Sequence, residues 1–347
     1  MTELELETPA PVVDLDRLER NLSGWQERCN GLGLANRPHV KTHKCTEIAR
    51  RQVALGAAGL TCQTLGEAEA MADAGMDDLL VALYVLGEQK LARLARLLER
   101  AAITVAADDA RVLPGLDRAA ASSGRELRVL VECDTGLGRT GVADPEAAAA
   151  LAVEVAGFGS LRFAGFMTYP SPPEAVGFLA RAAELAEHRG LEVETVSAGG
   201  TPAMWGADQL RPLVTEYRAG TYAFHDRATV AAGAATLEDV ALTVCATVVS
   251  RPARDRAILD AGSKALSSDL SAEAGFGLVL EAPRSTITRL NEEHGYLELA
   301  NGDDVELGAQ VRIVPNHACV VSNLFAELAL VRDGVLAGRW AVDARGR

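Results

Sequence analysis

The segments LRVLVEC at Leu127–Cys133, PEAAAALAVEVA at Pro145–Ala156 and FAGFMT at Phe163–Thr168 alternate two short apolar runs with one Ala-rich amphipathic run. Short apolar runs bounded by turn residues predict buried strands, and the amphipathic run predicts a helix between them. A strand, a helix and a second strand in this order predict a βαβ unit with parallel strands.

The same alternation extends from about residue 36 to residue 226. Roughly eight strand-and-helix repeats in about 200 residues predict a closed (β/α)8 barrel of the TIM type, and an open doubly wound sheet is the alternative. The predicted strands are Pro38–Lys41, Gly59–Cys62, Leu79–Tyr84, Ile103–Ala106, Leu127–Cys133, Phe163–Thr168, Glu194–Ser197 and Glu216–Arg218.

The pattern changes after about residue 236, where strand-like runs follow one another without intervening helices. Asp333-Gly334 is a hairpin turn signal between two such runs, so we predict an antiparallel β-domain at the C-terminus. The extended segment Pro9–Asp14 is expected to join it. We therefore predict an α/β fold with a barrel over residues 15–235 and a β-domain over residues 1–14 and 236–347.

The composition limits the classes of function. The chain has 347 residues and a formal net charge of −14 at pH 7, which argues against binding nucleic acid or an anionic membrane. The six cysteines form no Cys-x-x-Cys pair, so reduced, buried thiols are expected rather than a disulfide framework. We see no signal peptide and no apolar run long enough to span a bilayer, so we expect a cytoplasmic enzyme.

The first predicted strand ends in Lys41, within the segment PHVKTHK at Pro38–Lys44. Catalytic groups of a barrel lie at the carboxyl ends of its strands. Burial at such a position would lower the pKa of the lysine and free its amine to form a Schiff base with a carbonyl. A surface lysine in a basic loop with Lys44 is the alternative, and position alone does not decide between them.

Two glycine-containing turns follow the last two predicted strands. The segment SAGGT at Ser197–Thr201 offers bare backbone N–H groups and a hydroxyl, before a helix that is expected to begin at Pro202. Gly220-Thr221-Tyr222 adds a second group of donors. Because a phosphate after strand seven or eight is a recurrent feature of barrels, the two turns together favour a phosphate site.

The segment GLGRTG at Gly136–Gly141 matches the dinucleotide-binding pattern G-x-G-x-x-G and follows a strand. We reject that function because the pattern is common by chance and no helix is expected to open from its last glycine before Pro145. Arg139 is instead expected to carry a charge into the mouth of the barrel.

His317 and Cys319 lie two residues apart in PNHAC at Pro315–Cys319. In a strand both side chains would face the same way, and an imidazole nitrogen with a thiolate suits zinc. Two ligands are too few for a structural site, so waters or substrate would complete the coordination. A core histidine beside a buried cysteine is the alternative.

Together these segments resemble the family of D-threonine aldolases and eukaryotic-type D-serine dehydratases, which are relatives of alanine racemase. The resemblance covers nearly the whole chain in the family's order. It includes three further motifs: Glu132-x-Asp134-x-Gly136-x-x-Arg139-x-Gly141, Asp260-Ala261-Gly262-Ser263-Lys264 and Glu293-His294-Gly295.

The resemblance implies a pyridoxal-phosphate enzyme. Lys41 would hold the cofactor as a Schiff base and move the substrate's α-proton, and Arg139 would contact the cofactor's phenolate oxygen. His317 and Cys319 would hold a divalent metal (Mn, Zn or Mg) near the substrate's β-hydroxyl. Tyr169 is a further catalytic candidate, and the other predicted cofactor ligands are His39, Ser197, Gly199, Gly200, Thr201, Gly220, Thr221 and Tyr222.

Two reactions on D-β-hydroxy-α-amino acids, the expected substrates, remain open. Retro-aldol cleavage gives glycine and an aldehyde, as in D-threonine aldolase, and it is the reaction we expect. Dehydration of D-serine or D-threonine gives a keto acid and ammonia, and the His317-x-Cys319 pattern resembles the dehydratases. No histidine closely follows Tyr169, as it does in many members, so the second base is unassigned.

Other classes are compatible with parts of the sequence. A racemase without metal would need a tyrosine from the β-domain opposite Lys41, for which Tyr296 is the candidate. A non-catalytic carrier of pyridoxal phosphate would need no metal. The family also implies a homodimer.

Overall fold

The computed structural model describes residues 6–346. Within that range the strands, β1 to β17 in chain order, are Ala10–Asp14, Ala35–Asn36, Leu60–Cys62, Asp78–Val81, Ala102–Ala107, Leu127–Cys133, Leu161–Thr168, Thr195–Ala198, Glu216–Tyr217, Leu242–Ala253, Arg256–Leu259, Leu278–Val279, Thr286–Leu290, Gly295–Glu298, Gln310–Val314, Glu327–Arg332 and Val335–Ala341.

The helices of the same range, α1 to α10, are Leu15–Leu32, Thr46–Ala54, Leu65–Asp73, Glu88–Leu98, Leu113–Ser123, Pro145–Ala156, Ala175–Glu187, Arg227–Ala231, Ser263–Leu266 and Ala318–Leu324. Segments of 3-10 helix occupy Val40–Thr42, Ala110–Val112, Thr201–Leu210 and Thr221–Ala223. Among these described residues, each helix is too short or too polar to cross a lipid bilayer.

The chain forms two compact units. The barrel unit consists of Trp25–Lys41, Ile48–Gly220 and the C-terminal Gly346. The strand-rich unit consists of the described residues up to Gly24, Thr42–Glu47 and Thr221–Arg345. The boundaries expected from the sequence, 15–235 for the barrel and the remainder for the β-domain, stay predictions.

The barrel unit contains one sheet of eight parallel strands in the order β2-β9-β8-β7-β6-β5-β4-β3. An isolated parallel bridge between His39 and Thr61 joins the two edges of this sheet, since His39 follows β2 and Thr61 lies in β3. The predicted barrel fold is therefore confirmed, and the open doubly wound alternative is not needed.

The interior of the barrel unit is apolar at the level of its middle strands. Leu80, Ala106 and Leu130 come from β4, β5 and β6, and they form one buried cluster with Ala164 and Met167 of β7. Four neighbouring strands thus contribute to one apolar core, as in a closed barrel. Burial on this scale fixes the positions of the strand ends, where the candidate site lies.

The strand predicted at Pro38–Lys41 is wrong in its bounds. β2 covers only Ala35–Asn36, and Lys41 lies in the 3-10 segment Val40–Thr42. Pro38 has no N–H, so it cannot donate to a regular ladder. The amides on either side still bond across, from Arg37 to the Tyr217 carbonyl and from His39 to the Ala219 carbonyl, both at 2.9 Å.

The strand-rich unit is built on a mostly antiparallel sheet that β1 joins, as predicted. β1 pairs antiparallel with β10 and parallel with β16. β16 and β17 form the predicted hairpin around Asp333 and Gly334, both of which have positive φ. The expectation of strands without helices is wrong, because α9 and α10 interrupt the strands of this unit.

Candidate active site

Lys41 is exposed at the carboxyl end of the barrel strands, in the turn that follows β2. The burial on which a lowered pKa would depend is not observed, because the 3-10 segment turns Val40 into the core and leaves the lysine toward solvent. Lys44, three residues later, is the buried lysine, with 8% of its surface exposed. The lysine proposed to form the Schiff base is thus the exposed one of the two.

His39 is buried beside Lys41 and is held at both ring nitrogens. Its Nδ1 accepts from the Lys41 amide at 3.4 Å, so the proton lies on Nε2, which donates to Gln63 Oε1 at 3.2 Å. The ring is thus fixed against the turn that carries Lys41.

Arg139, Tyr169 and Gly200 come together at the ends of three neighbouring strands. The Arg139 guanidinium lies over the Tyr169 ring, 5.7 Å from its centroid, in cation–π geometry. A Cβ atom at Gly200 would lie 2.7 Å from a ring carbon of Tyr169, so this position has no room for a side chain. Tyr169 itself is 37% exposed, which leaves one face of this cluster open.

The loop Gly136–Gly141 does not offer its amides to a phosphate. The carboxylate of Asp134 accepts from the amides of Gly136, Leu137 and Gly138 at 2.9 to 3.2 Å. No helix follows until Pro145. Both findings agree with our rejection of dinucleotide binding, and the loop instead presents the exposed Arg139.

A buried ionic network lies beneath the turn after β8. Arg218 is fully enclosed and donates to Ser197 Oγ at 2.6 Å and to the Thr168 carbonyl at 2.7 Å. Ser197 Oγ in turn donates to Glu216 at 2.5 Å. Burial lowers the pKa of Arg218 from its usual value, and Glu216 opposes that shift. The hydroxyl of Ser197, a predicted cofactor ligand, is therefore engaged within the protein.

The turn Gly199–Thr201 packs against Tyr217, and two of its polar groups make hydrogen bonds within the protein. Gly199 has φ +87°, and a Cβ there would lie 2.2 Å from the Tyr217 ring, so only glycine fits. Its amide donates to Ser171 Oγ at 2.7 Å, and the Gly220 amide donates to Thr201 Oγ1 at 3.2 Å. The segment after it is a 3-10 helix that begins at Thr201, not an α-helix at Pro202.

An exposed lysine, a guanidinium and a glycine turn thus lie at the carboxyl ends of strands in one barrel. This set fits pyridoxal phosphate, which needs a lysine, polar contacts to its ring and an anion site. Thr221 and Tyr222 directly follow Gly220 in the chain and belong to the strand-rich unit.

His317 and Cys319 come together, but not in a strand as predicted. β15 ends at Val314, and His317 caps the N-terminus of α10 with an extended backbone. Its ring is hydrogen-bonded to Cys319, which raises the pKa of His317 to about 9, and a bond to Asp269 acts in the same direction. His317 and Cys319 are therefore brought together by the first turn of a helix and not by the alternation of side chains in a strand.

The surroundings of these two side chains are hydroxyl groups and carboxylates of the same unit. Thr42 Oγ1 is 3.2 Å and Thr221 Oγ1 is 3.7 Å from Cys319 Sγ. The buried Asp226 accepts from the Ala318 amide at 2.9 Å, between the two candidate ligands. It also caps α8 by accepting from the Thr229 amide at 2.9 Å. Asp226 and Asp269 were not singled out by the sequence, which has no local motif for either.

Within residues 6–346, no group of three or more His, Cys, Asp or Glu side chains is arranged to hold a metal ion. One imidazole and one thiol, adjacent and partly exposed, remain as a two-donor set. Such a set fits a divalent ion whose other positions are filled by water or substrate, as in catalytic rather than structural sites.

The chain matches two domain families along its length. The alanine racemase N-terminal domain matches residues 13–228, and a putative serine dehydratase domain matches residues 241–331. With the barrel and its lysine, these matches define the alanine racemase-like class of folds, for which pyridoxal phosphate is the implied cofactor.

Three similar proteins narrow the class. The chain is 37% identical to a D-threonine aldolase of Arthrobacter sp, over 98% of this chain and 93% of that protein. Its structure is similar to that of D-threonine aldolase from Filomicrobium marinum, at TM-score 0.88 and 35% identity, covering 98% and 96%. It is also similar, at TM-score 0.87 and 33% identity with 97% of both chains covered, to a cysteine-to-alanine mutant of D-threo-3-hydroxyaspartate dehydratase in the metal-free form. This chain belongs to the family of D-threonine aldolases and D-serine dehydratase-like proteins.

Proposed function

We propose that this chain is a pyridoxal-phosphate and divalent-metal lyase that cleaves D-β-hydroxy-α-amino acids to glycine and an aldehyde. The observation that carries the proposal is the surroundings of Cys319. Its sulfur is 3.2 Å from the hydroxyl of Thr42, and Thr42 is covalently joined to Lys41. The chain itself therefore links the proposed cofactor lysine to the proposed metal ligands.

In this proposal the residues of the barrel unit bind and orient the cofactor. Lys41 would attach it through its amine and would move the α-proton, and Arg139 would pair with its phenolate oxygen. The turns at Gly199–Thr201 and Gly220–Tyr222 hold its phosphate, and His39 fixes the turn of Lys41. When bound, pyridoxal phosphate supplies the electron sink for negative charge at the substrate's α-carbon.

His317 and Cys319 would hold the metal, Mn, Zn or Mg, against the β-hydroxyl of the substrate. A divalent ion held there would lower the pKa of the hydroxyl and fix its orientation. Loss of the hydroxyl proton favours cleavage between the α- and β-carbons. Tyr169, exposed at the mouth of the barrel unit, is the proposed acid or base for this proton.

Dehydration to a keto acid and ammonia is the second candidate. The thiol of Cys319 favours it, because His-x-Cys resembles the dehydratases. The similar dehydratase in the metal-free form is itself a cysteine-to-alanine mutant. In that reaction the same metal would improve the hydroxyl as a leaving group after removal of the α-proton.

Product analysis distinguishes the two reactions. The protein, loaded with pyridoxal phosphate and Mn²⁺, is incubated separately with D-threonine, D-serine and D-threo-3-hydroxyaspartate, and with L-threonine as the control. Glycine with an aldehyde supports the proposal, and a keto acid with ammonia supports the dehydratase. Formation of only the opposite enantiomer would identify a racemase. No product from any substrate, with the cofactor bound, would identify a carrier.

We further propose that the protein is a homodimer, in keeping with the family resemblance. Light scattering after size exclusion is expected to give about twice the 36.5 kDa chain mass. A mass of one chain would contradict this.

A further inference from the structure

Asp269 forms a hydrogen bond that the proposed function does not use. Its carboxylate lies 2.8 Å from Nδ1 of His317, the proposed metal ligand. A carboxylate only accepts, so Nδ1 of the ring carries the proton and donates. The lone pair of a neutral ring is then confined to Nε2, because a neutral imidazole has one donor and one acceptor nitrogen.

Asp269 is itself held in place by the residue next to His317. The buried side chain of Asn316 donates through Nδ2 to the Asp269 carbonyl and to the Gly275 carbonyl, both at 2.9 Å. Arg227 holds Asn316 in turn, through a 2.9 Å bond to Oδ1. These hydrogen bonds hold the 269–275 segment against the backbone next to His317. The position of the Asp269 carboxylate is therefore fixed by its own backbone as well as by the contact with the histidine ring.

The pair contributes little as an ion pair. The side chains of His317 and Asp269 are 44% and 45% exposed, and solvent screens a contact of that kind. Removing Asp269 is therefore expected to leave the stability of the fold nearly unchanged. What the contact fixes is the orientation of a ring and the nitrogen that bears its proton.

We propose that Asp269 is a positioning residue for a divalent metal, which sets the tautomer of His317 and aims Nε2 at the ion. The proposal rests on the metal role of His317 given above. Metal-ligating histidines usually donate their second nitrogen to a carboxylate or carbonyl, and losing that partner weakens metal binding about 10- to 100-fold.

The test compares Zn²⁺ binding by calorimetry in the full-length protein and three variants. Asp269→Leu removes the acceptor, and Asp269→Asn keeps a neutral acceptor in nearly the same shape. Asp255→Asn, at an exposed position in the turn between β10 and β11, is the control for the loss of one charge. We expect binding weakened about 10- to 100-fold in Asp269→Leu, less in Asp269→Asn and not in the control.

Nitrogen-15 NMR of labelled histidine in the Zn²⁺-loaded protein provides a readout that a merely structural role would not change. The His317 signals, identified with His317→Gln, are expected to show metal at Nε2 and a proton at Nδ1. Asp269→Leu is expected to lose this single pattern while its unfolding midpoint stays that of wild type. Equal zinc affinity and an unchanged pattern in Asp269→Leu would overturn the inference alone. A wild-type protein that binds no Zn²⁺ would overturn it together with the metal part of the proposed function.

Discussion

The ends of the barrel strands and the start of α10 position their polar side chains in opposite ways. Around Arg218 the charges are buried, and each group has partners from other strands, as in the bonds to Ser197 and Thr168. Around His317 the side chains are partly exposed, and two carboxylates from elsewhere in the chain hold the segment: Asp269 accepts from the His317 ring and Asp226 accepts from the Ala318 amide. The first region is tied to the stability of the fold, whereas the second can change without unfolding the chain. Their separate responses to substitution test this difference.

The largest effect on activity is expected at Lys41. It lies at the ends of the barrel strands but, unlike Arg218, it is exposed. Lys41→Ala should lower lyase activity ~10⁴-fold, since both the attachment of the cofactor and the transfer of the α-proton are lost. Borohydride should no longer fix the absorbance band of the cofactor onto the protein. Lys90→Ala, at an exposed position of α4, is the matched control. Covalent fixation in Lys41→Ala would show that another residue holds the cofactor.

A large loss of stability is expected at Arg37, in the buried part of the barrel unit. Arg37 bonds to Glu216 at 2.5 Å and to Asp78 at 2.7 Å. Burial raises the pKa of Asp78, but Arg37 and Arg128 outweigh it and hold that pKa below its usual value. Arg37→Ala removes the ion-pair partner of the buried Glu216, which keeps only the Ser197 hydroxyl as a side-chain donor among the described residues, whereas Asp78 keeps Arg128. The substitution should lower the free energy of unfolding by about 3–5 kcal/mol.

Urea unfolding measures this change against Arg100→Ala. Arg100 pairs with Asp73 on the surface and should contribute less than about 1 kcal/mol. Equal effects of the two substitutions would remove the distinction between buried and exposed charges on which the comparison depends.

At Cys319 we expect a loss of metal without a loss of fold. Cys319→Ala should weaken Mn²⁺ binding about 100-fold or more, because a direct ligand matters at least as much as the residues behind it. The cofactor band and the unfolding midpoint should stay those of wild type. Chelation of the wild-type protein should reproduce the loss of activity, and added Mn²⁺ should restore it. Full activity after chelation would show that no metal is needed.

The smallest effect concerns His225, a buried residue of the strand-rich unit whose Nδ1 has no hydrogen-bond partner. Burial lowers its pKa from 6.5 to about 4. The unfolded chain therefore binds the proton more readily, so stability is complete above pH 6.5 and falls as the pH drops toward 4. At pH 5 the loss should be about 2 kcal/mol.

His225→Asn is expected to remove this part of the acid sensitivity. Asparagine tolerates the positive φ of 51° at this position better than most residues. Unfolding free energies at pH 7.5 and pH 5 are compared in the variant and the wild type. An undiminished difference between the two pH values in the variant would assign the sensitivity to other groups.

The sequence predicts the barrel well where periodicity and burial agree. The bounds of Leu127–Cys133 and Pro145–Ala156 match the structure because each is a long, uninterrupted run with one pattern. The predicted strand bounds fail at Lys41, where a proline and a 3-10 helix take the place of the last residues of the predicted strand. The prediction fails again at His317, where a helix of seven residues is too short to show its own period.

Part of the candidate site could not be predicted at all. Asp226 and Asp269 reach His317–Cys319 from distant positions, and neither is marked by spacing or composition. Position in the sequence left a buried and a surface Lys41 open, because the exposure of a residue after a strand depends on how the following turn folds. The family resemblance identified Lys41 and His317–Cys319 as one site. Their proximity depends on tertiary contacts, which local sequence patterns do not encode.

Asp226 acts as a non-covalent cross-link between segments that are 92 residues apart in the chain. One carboxylate oxygen accepts a hydrogen bond from the Ala318 amide, and the other accepts from the Thr229 amide at the start of α8. The entropy of closing so long a loop depends only weakly on its length, and even doubling it costs about 0.6 kcal/mol. An insertion in the exposed turn between β10 and β11, which lies between these two points, would therefore cost little closure entropy and leave the segment of His317 in place.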